Sequence, residues 1–193
     1  MERIRVAIVC VAVLSLSFSS PAAAASSVVH DARGDLRPGL PAYLDIAQAK
    51  VTDEVGTDRL VFSQVLSAPV PQAPSEGFVA YNWLTGSSTA PTMRQFLDQT
   101  SEYAVVLRWC TERVPCFGDR TRHWIAFVNH FDFGISFAPT FRIDGASVKV
   151  FVSRSVLDDP TSFYWAAVTR AVPGGTGPEV EAAPDSAPAH FAR

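Results

Sequence analysis

Between Tyr103 and Cys110 the chain changes character at every second residue. Tyr103, Val105, Leu107 and Trp109 form one set, and Ala104, Val106, Arg108 and Cys110 the other. A period of two puts alternate side chains on opposite faces of an extended strand, whereas a helical stripe would recur every three or four residues. The alternation returns in Phe78 to Leu84 (Val79, Tyr81, Trp83), and in Trp124, Ala126 and Val128 against Ile125, Phe127 and Asn129. Val148, Val150 and Val152 repeat it, and Phe163 to Val168 closes the set. Adding the β-rich run Leu60 to Leu66 and the segments Leu44 to Val51 and Ile135 to Ile143 gives an expectation of about eight strands.

Helix signals are few: two turns over Thr92 to Gln99 after Pro91, and one turn at Ser155 to Leu157 before Pro160. Many strands with little helix between them predict an all-β fold. The expected form is an antiparallel β-sandwich, a two-sheet immunoglobulin-like or jelly-roll-like arrangement with a few short helical turns. Periodicity does not fix closure, so a barrel is the alternative. Several strands are apolar on both faces, as central strands between two covered layers would be.

The ends differ from the middle. Residues 1–25 have the parts of a secretory signal peptide: Arg3 and Arg5, the largely apolar Ile4 to Phe18, then Ala23-Ala24-Ala25 before Ser26. The apolar run is shorter than the roughly 20 residues a spanning helix needs, so no membrane association is expected after its removal. Cys10 lies inside that apolar run and reads as a small apolar residue of the discarded peptide. Residues 26–40 read as a polar leader, 41–172 as the sandwich domain, and 173–193, rich in Pro, Gly and Ala, as a mobile tail. Pro69 to Glu76 reads as a surface loop. The destination is secreted, extracellular.

Export gives Cys110 and Cys116 an oxidising compartment. They enclose Thr-Glu-Arg-Val-Pro, and a disulfide across a strand connection is expected, with a redox-active pair as the alternative. Net charge is −3, with 16 basic and 19 acidic residues, which leaves no cationic excess for a nucleic-acid partner. Arginine outnumbers lysine 14 to 2, a signature of a GC-rich bacterial genome. There is no Gly-x-Ser-x-Gly elbow and no His-Glu-x-x-His pair. Glu102, Asp119 and Asp132 are scattered carboxylates, so no catalytic residue is assigned and the chain is not read as an enzyme. Arg33-Gly34-Asp35 spells an adhesion tripeptide, which chance explains.

The punctuation of the strands resembles the DOMON domains, exported sugar- and haem-binding β-sandwiches, and the related family 9 carbohydrate-binding modules. The matching segments are Pro-Ala-Tyr-Leu-Asp-Ile (41–46), Trp83 with Thr85-Gly86, and Phe-Arg-Ile-Asp-Gly (141–145). Ser-Val-Leu-Asp-Asp-Pro (155–160) before Phe163 and Trp165, and Val-Glu-Ala-Ala-Pro-Asp (180–185), complete the set. The resemblance implies a β-sandwich and a sugar or haem ligand. Related sequences often carry an Asp-x-Asp run after the tryptophan strand, but here Leu84 runs straight into Thr85-Gly86, and Glu181 stands where the ending usually has Asp. No metal is therefore expected from it.

For a saccharide, or another cell-envelope ligand, an indole stacked on the apolar face of a sugar ring is the natural platform. Trp124 is the first candidate, flanked by Arg122 and His123, and Trp109 the second, beside the expected disulfide. Arg108 and Asn129 are further polar candidates. Trp83 and Trp165 also lie on expected strands, where indoles equally serve as core fillers. A haem would need an axial pair from Met93 with His123 or His130, and no Cys-x-x-Cys-His attachment exists. His123 and His130, seven apart on one strand, fall on opposite faces and cannot chelate one ion. No cofactor is expected. The alternative function is an envelope interaction or structural protein, and the oligomeric state stays open.

Overall fold

The computed structural model describes residues 24–36, 38–75, 78–112, 115–119, 121–136, 139–171 and 179–193. Residues 1–23 of the expected signal peptide, residue 172 at the end of the expected domain and 173–178 at the start of the expected tail lie outside them. Twelve strands form among the described residues. The first six are β1 (Ser26–His30), β2 (Ile46–Glu54), β3 (Arg59–Leu66), β4 (Val79–Gly86), β5 (Tyr103–Cys110) and β6 (His123–His130). Then come β7 (Gly134–Ser136), β8 (Thr140–Asp144), β9 (Ser147–Ser153), β10 (Ser162–Ala171), β11 (Glu179–Ala183) and β12 (Ala189–Ala192).

The strands make two antiparallel sheets. One runs β1-β2-β3-β9-β8; the other runs β7-β6-β5-β4-β10, with β11 and β12 both pairing the outer side of β10. No ladder joins the two sheets among the described residues, so the fold is a sandwich and not a closed barrel. The alternation seen in the sequence is the reason. Tyr81, Trp83, Val105 and Leu107 face inward from one sheet and meet Val51, Phe62, Val150 and other apolar side chains of the opposite sheet. The buried polar atoms of the large rings are used to tie layers. Trp83 Nε1 donates to the Ser63 carbonyl (3.3 Å), Trp165 Nε1 to Ser27 Oγ (3.0 Å) and the Tyr81 hydroxyl to the Tyr43 carbonyl (3.0 Å). Hydrogen-bonding these groups offsets the cost of taking them out of water.

β4 is buried at every position because the outer face of its sheet is covered too. Ala80, Leu84, Val106 and Val168 lie under Met93 and Phe96. These two side chains come from a single helical stretch, α1 (Met93–Gln95) continued by a π-turn (Phe96–Thr100). Thr92 starts it by accepting from the Gln95 N–H (3.2 Å), and Ser101 N–H ends it on the Phe96 carbonyl (3.0 Å).

Three expectations need correction. Within the expected polar leader, β1 pairs β2 across five residues. An edge strand tolerates the serines because one of its faces meets water, while Val29 packs on the core. The expected strand Ile135 to Ile143 is two strands in different sheets, β7 and β8. Pro139, which has no N–H to give a ladder, stands before β8. The mobile tail is not mobile at its end: β11 and β12 complete the second sheet, and Phe191 is fully buried, stacked on Phe163 at 5.0 Å. The composition of 173–193 hides this, since one phenylalanine on a four-residue strand is enough to anchor it. The last residue is anchored as well. Arg193 Nε lies 3.1 Å from Asp53, whose carboxylate also accepts from the buried Arg154.

Candidate functional sites

The tryptophans do not form the expected platform. Trp83 and Trp165 are fully buried and Trp109 nearly so. Trp124 is half-buried, stacked on Tyr81 (5.8 Å) and tilted against Trp109 (5.5 Å), so its ring is part of the core's end. Alternation along β6 separates the candidates. Trp124 turns inward with Ala126 and Val128, and His123 points to the opposite face, while Arg122 stands exposed just before the strand. His123 is engaged locally: Nδ1 lies 2.9 Å from Thr121 Oγ1, and Nε2 lies 3.7 Å from Asp119. Hydrogen bonds from the Thr121 N–H and hydroxyl hold the Asp119 carboxyl below its ordinary pKa. The disulfide Cys110–Cys116 is formed, with the Cα atoms 5.5 Å apart. Arg108 lies over the Phe78 ring (4.8 Å), and burial lowers its pKa. Met93 is buried in the outer apolar layer rather than presented to a ligand.

A different surface combines an exposed ring with convergent polar groups. At the end of the second sheet away from the disulfide, an open groove of about 540 Å³ runs between the π-turn and the β6–β7 connection. Its lining includes Asp98, Gln99, Glu102, Phe131 and Asp132. One wall stands where it does because of Gly86, at which a Cβ would collide with the Thr100 carbonyl oxygen. The π-turn thus lies directly on the end of β4, and the Glu102 N–H donates to the Thr85 carbonyl (2.7 Å). Ser87 donates to the Glu102 carboxylate.

The other wall is a three-residue hairpin loop, Phe131-Asp132-Phe133, closed by Gly134 at φ 103°, a conformation open to glycine. His130 organises this loop. Its Nδ1 accepts from both the Asp132 N–H (3.1 Å) and the Phe133 N–H (3.0 Å), which fixes the ring proton on Nε2. The Phe131 N–H donates to the Glu102 carbonyl (3.0 Å), joining the two walls. Phe131 is 50% exposed and Phe133, packed against His130 at 4.3 Å, is 86% exposed.

A second cluster lies elsewhere. Five carboxylates from distant parts of the chain meet near the start of β2: Asp31, Asp35, Asp45, Glu181 and Asp185. Asp45 Oδ2 accepts from the Gly34 N–H (2.8 Å), and Glu181 Oε2 from the Ile46 N–H (2.6 Å). Burial pushes the Glu181 carboxyl up to about 8, with Asp45, Asp31 and Asp35 adding to the rise against the Ile46 hydrogen bond. Asp31 is raised to about 6, first by burial and then by Asp185. Within this cluster Asp35 of the Arg-Gly-Asp tripeptide faces other acids. Its sequence signal was Asp45, a carboxylate between Leu44 and Ile46, both of which are fully buried. Comparison with protein-family models, curated proteins and solved structures yields no match.

Proposed function

We propose that this chain is a secreted, non-catalytic β-sandwich module that binds a saccharide in the groove between the π-turn and the β6–β7 hairpin. This keeps the ligand class implied by the resemblance to DOMON domains and family 9 carbohydrate-binding modules, and moves the site from Trp124 and Trp109 to Phe131. The observation that carries the reading is the half-exposed Phe131 ring in one open groove with Asp98, Gln99, Glu102 and Asp132. A sugar ring has an apolar face of C–H groups, which covers an aromatic ring, and a rim of hydroxyls, which carboxylates and amides bind in pairs. The groove's volume falls in the range of small-molecule sites, and its open form suits a chain of sugars passing through. The N-terminal signal sequence and the disulfide support export.

The test is calorimetric titration of neutral oligosaccharides, cello-, manno- and chito-series, into the mature protein. Saturable binding by one series is expected, weakened about tenfold or more in Phe131→Ala with an unchanged circular dichroism spectrum. Trp124→Ala should weaken binding only as far as it destabilises the fold. No binding by any series, or equal binding by Phe131→Ala, refutes the site; release of shorter sugars refutes the non-catalytic assignment. A second reading, docking of an envelope macromolecule, is favoured by Phe133 and the exposed Ile135 on the short edge strand β7. It would show as affinity for a polymeric envelope fraction lost in Phe133→Ser, with no oligosaccharide binding.

A further inference from the structure

We propose that the carboxylate cluster of Asp31, Asp35, Asp45, Glu181 and Asp185 is a calcium site that fastens the segment after β1 to β11. The proposal stands apart from the groove and does not depend on it.

The geometry is that of a site built from oxygen. Two overlapping triads share Asp35: Asp31 with Asp35 and Asp185, and Asp35 with Asp45 and Glu181. Within each triad the ligand atoms lie within 4.8 Å of one another. Two oxygens bound to one calcium ion at about 2.3–2.6 Å can be no more than about 5 Å apart, and every pair of ligand atoms in each triad meets that limit.

Independent of the clustering is the state of the buried oxygens. Asp45 is only 3% exposed, and its Oδ1 has no hydrogen-bond partner. Asp31 Oδ2 and Glu181 Oε1 are buried and unpartnered in the same way. A buried carboxylate oxygen without a donor carries a desolvation cost that nothing returns, and three in one place are not a random residue of packing. Among the described residues no lysine or arginine is ion-paired with any of the five acids. A bound cation would relieve the repulsion among the ionised carboxylates.

The donor set selects the ion. All five side chains are carboxylates, with no histidine or cysteine, which disfavours zinc and copper. Magnesium demands a tighter octahedron and retains its water, whereas calcium accepts six to eight oxygens in irregular arrangements. Carboxylates spread over a loop, a strand entry and a second strand match that tolerance.

The experiment uses the mature chain freed of metal by chelation. Titration with calcium chloride should show saturable heat with a dissociation constant of about 1 mM or tighter, the range of extracellular calcium modules. Calcium at tenfold excess over that constant should raise the thermal midpoint by about 3–6 °C. Asp45→Asn and Glu181→Gln keep an acceptor for the Gly34 and Ile46 N–H groups, and both should abolish the rise. Asp35→Asn serves where those fold poorly, because Asp35 is exposed and belongs to both triads. Asp98→Asn, in the groove, should leave the rise intact. No heat and no shift at 10 mM calcium overturn the proposal, as do variants that respond like the parent. A larger shift with magnesium or zinc at equal concentration overturns the assignment to calcium.

Discussion

Replacing Phe191 by alanine is the sharpest test of how the chain ends. Phe191 is fully buried on β12, stacked on Phe163, which in turn lies 6.3 Å from Phe62, itself 6.2 Å from Trp83. Truncating a buried phenylalanine costs about 3–5 kcal/mol, combining lost transfer free energy with the cavity left behind. The upper part of that range is expected here. Phe62 is held between the ladders to β2 and β9, and β10 is fixed on β4 from Tyr164 onward, so neither neighbouring ring can travel far enough to close the gap. Loosening β12 also releases Arg193 from Asp53, leaving Arg154 as that carboxylate's remaining cation. For a chain of this size the loss corresponds to a drop in thermal midpoint of about 6–20 °C. The assay is urea unfolding of the mature protein followed by tryptophan fluorescence, with His190→Ala as the control on the same strand. A change below about 0.5 kcal/mol for Phe191→Ala would mean that residues 189–192 do not form the edge of the sheet, and that the mobile tail expected from composition is correct.

Two further outcomes follow from the covalent and ionisable groups. Cys110→Ala/Cys116→Ala, or the parent protein in reductant, should lose about 2–2.5 kcal/mol, the loop-closure entropy of so short a ring; equal urea midpoints with and without reductant would show the bridge absent in solution. In chelator, the Glu181 carboxyl keeps its proton up to about 8 when folded but ionises near 4.5 when unfolded. The folded state therefore binds more protons between those values, and this contribution to stability is complete below about pH 4.5 and is lost as pH rises toward 8. Glu181→Gln should unfold with a flatter pH profile than the parent over that interval, and coincident profiles would refute the burial of this group.

The architecture was legible because strand alternation is a local property. Tyr103 to Cys110 and Val148 to Val152 declare their faces within eight residues, and both are strands in the structure. Apolarity on both faces of Phe78 to Leu84 correctly implied cover on both sides, though nothing local said that Met93 and Phe96 would supply it. What escaped was set by distance along the chain. β1 and β12 carry too few apolar residues to stand out, and only their partners β2 and β10 make them strands. The binding candidates failed for a related reason. Trp124 looked accessible because Arg122 and His123 precede it, yet His123, its neighbour on β6, faces the opposite way, and Arg122 lies before the strand begins, so neither puts polarity beside the indole, which turns inward with Ala126 and Val128. The five acids are separated by up to 154 positions, and no spacing rule reaches that far.

The groove and the acidic cluster lie far apart on the second sheet, which bears on what each can do. Glu181 belongs to the row Glu181–Thr169–Tyr81–Leu107–Ala126, whereas the groove stands at the row Thr85–Tyr103–His130. From Tyr81 to Thr85 is about 13 Å along the strand, and from β11 to β6 is about 19 Å across four ladders. Groups so separated, with no partner in common, act additively. The walls of the groove are fixed by Gly86, His130 and the Phe131–Glu102 hydrogen bond, none of which touches the cluster. A cation among the acids would instead act where the two sheets meet at one edge, joining Asp45 before β2 to Glu181 on β11. There the Glu181–Ile46 hydrogen bond already links the sheets, and neutralising the surrounding charge removes the repulsion that opposes it. The cation would therefore secure the scaffold, and recognition would belong to the far end alone.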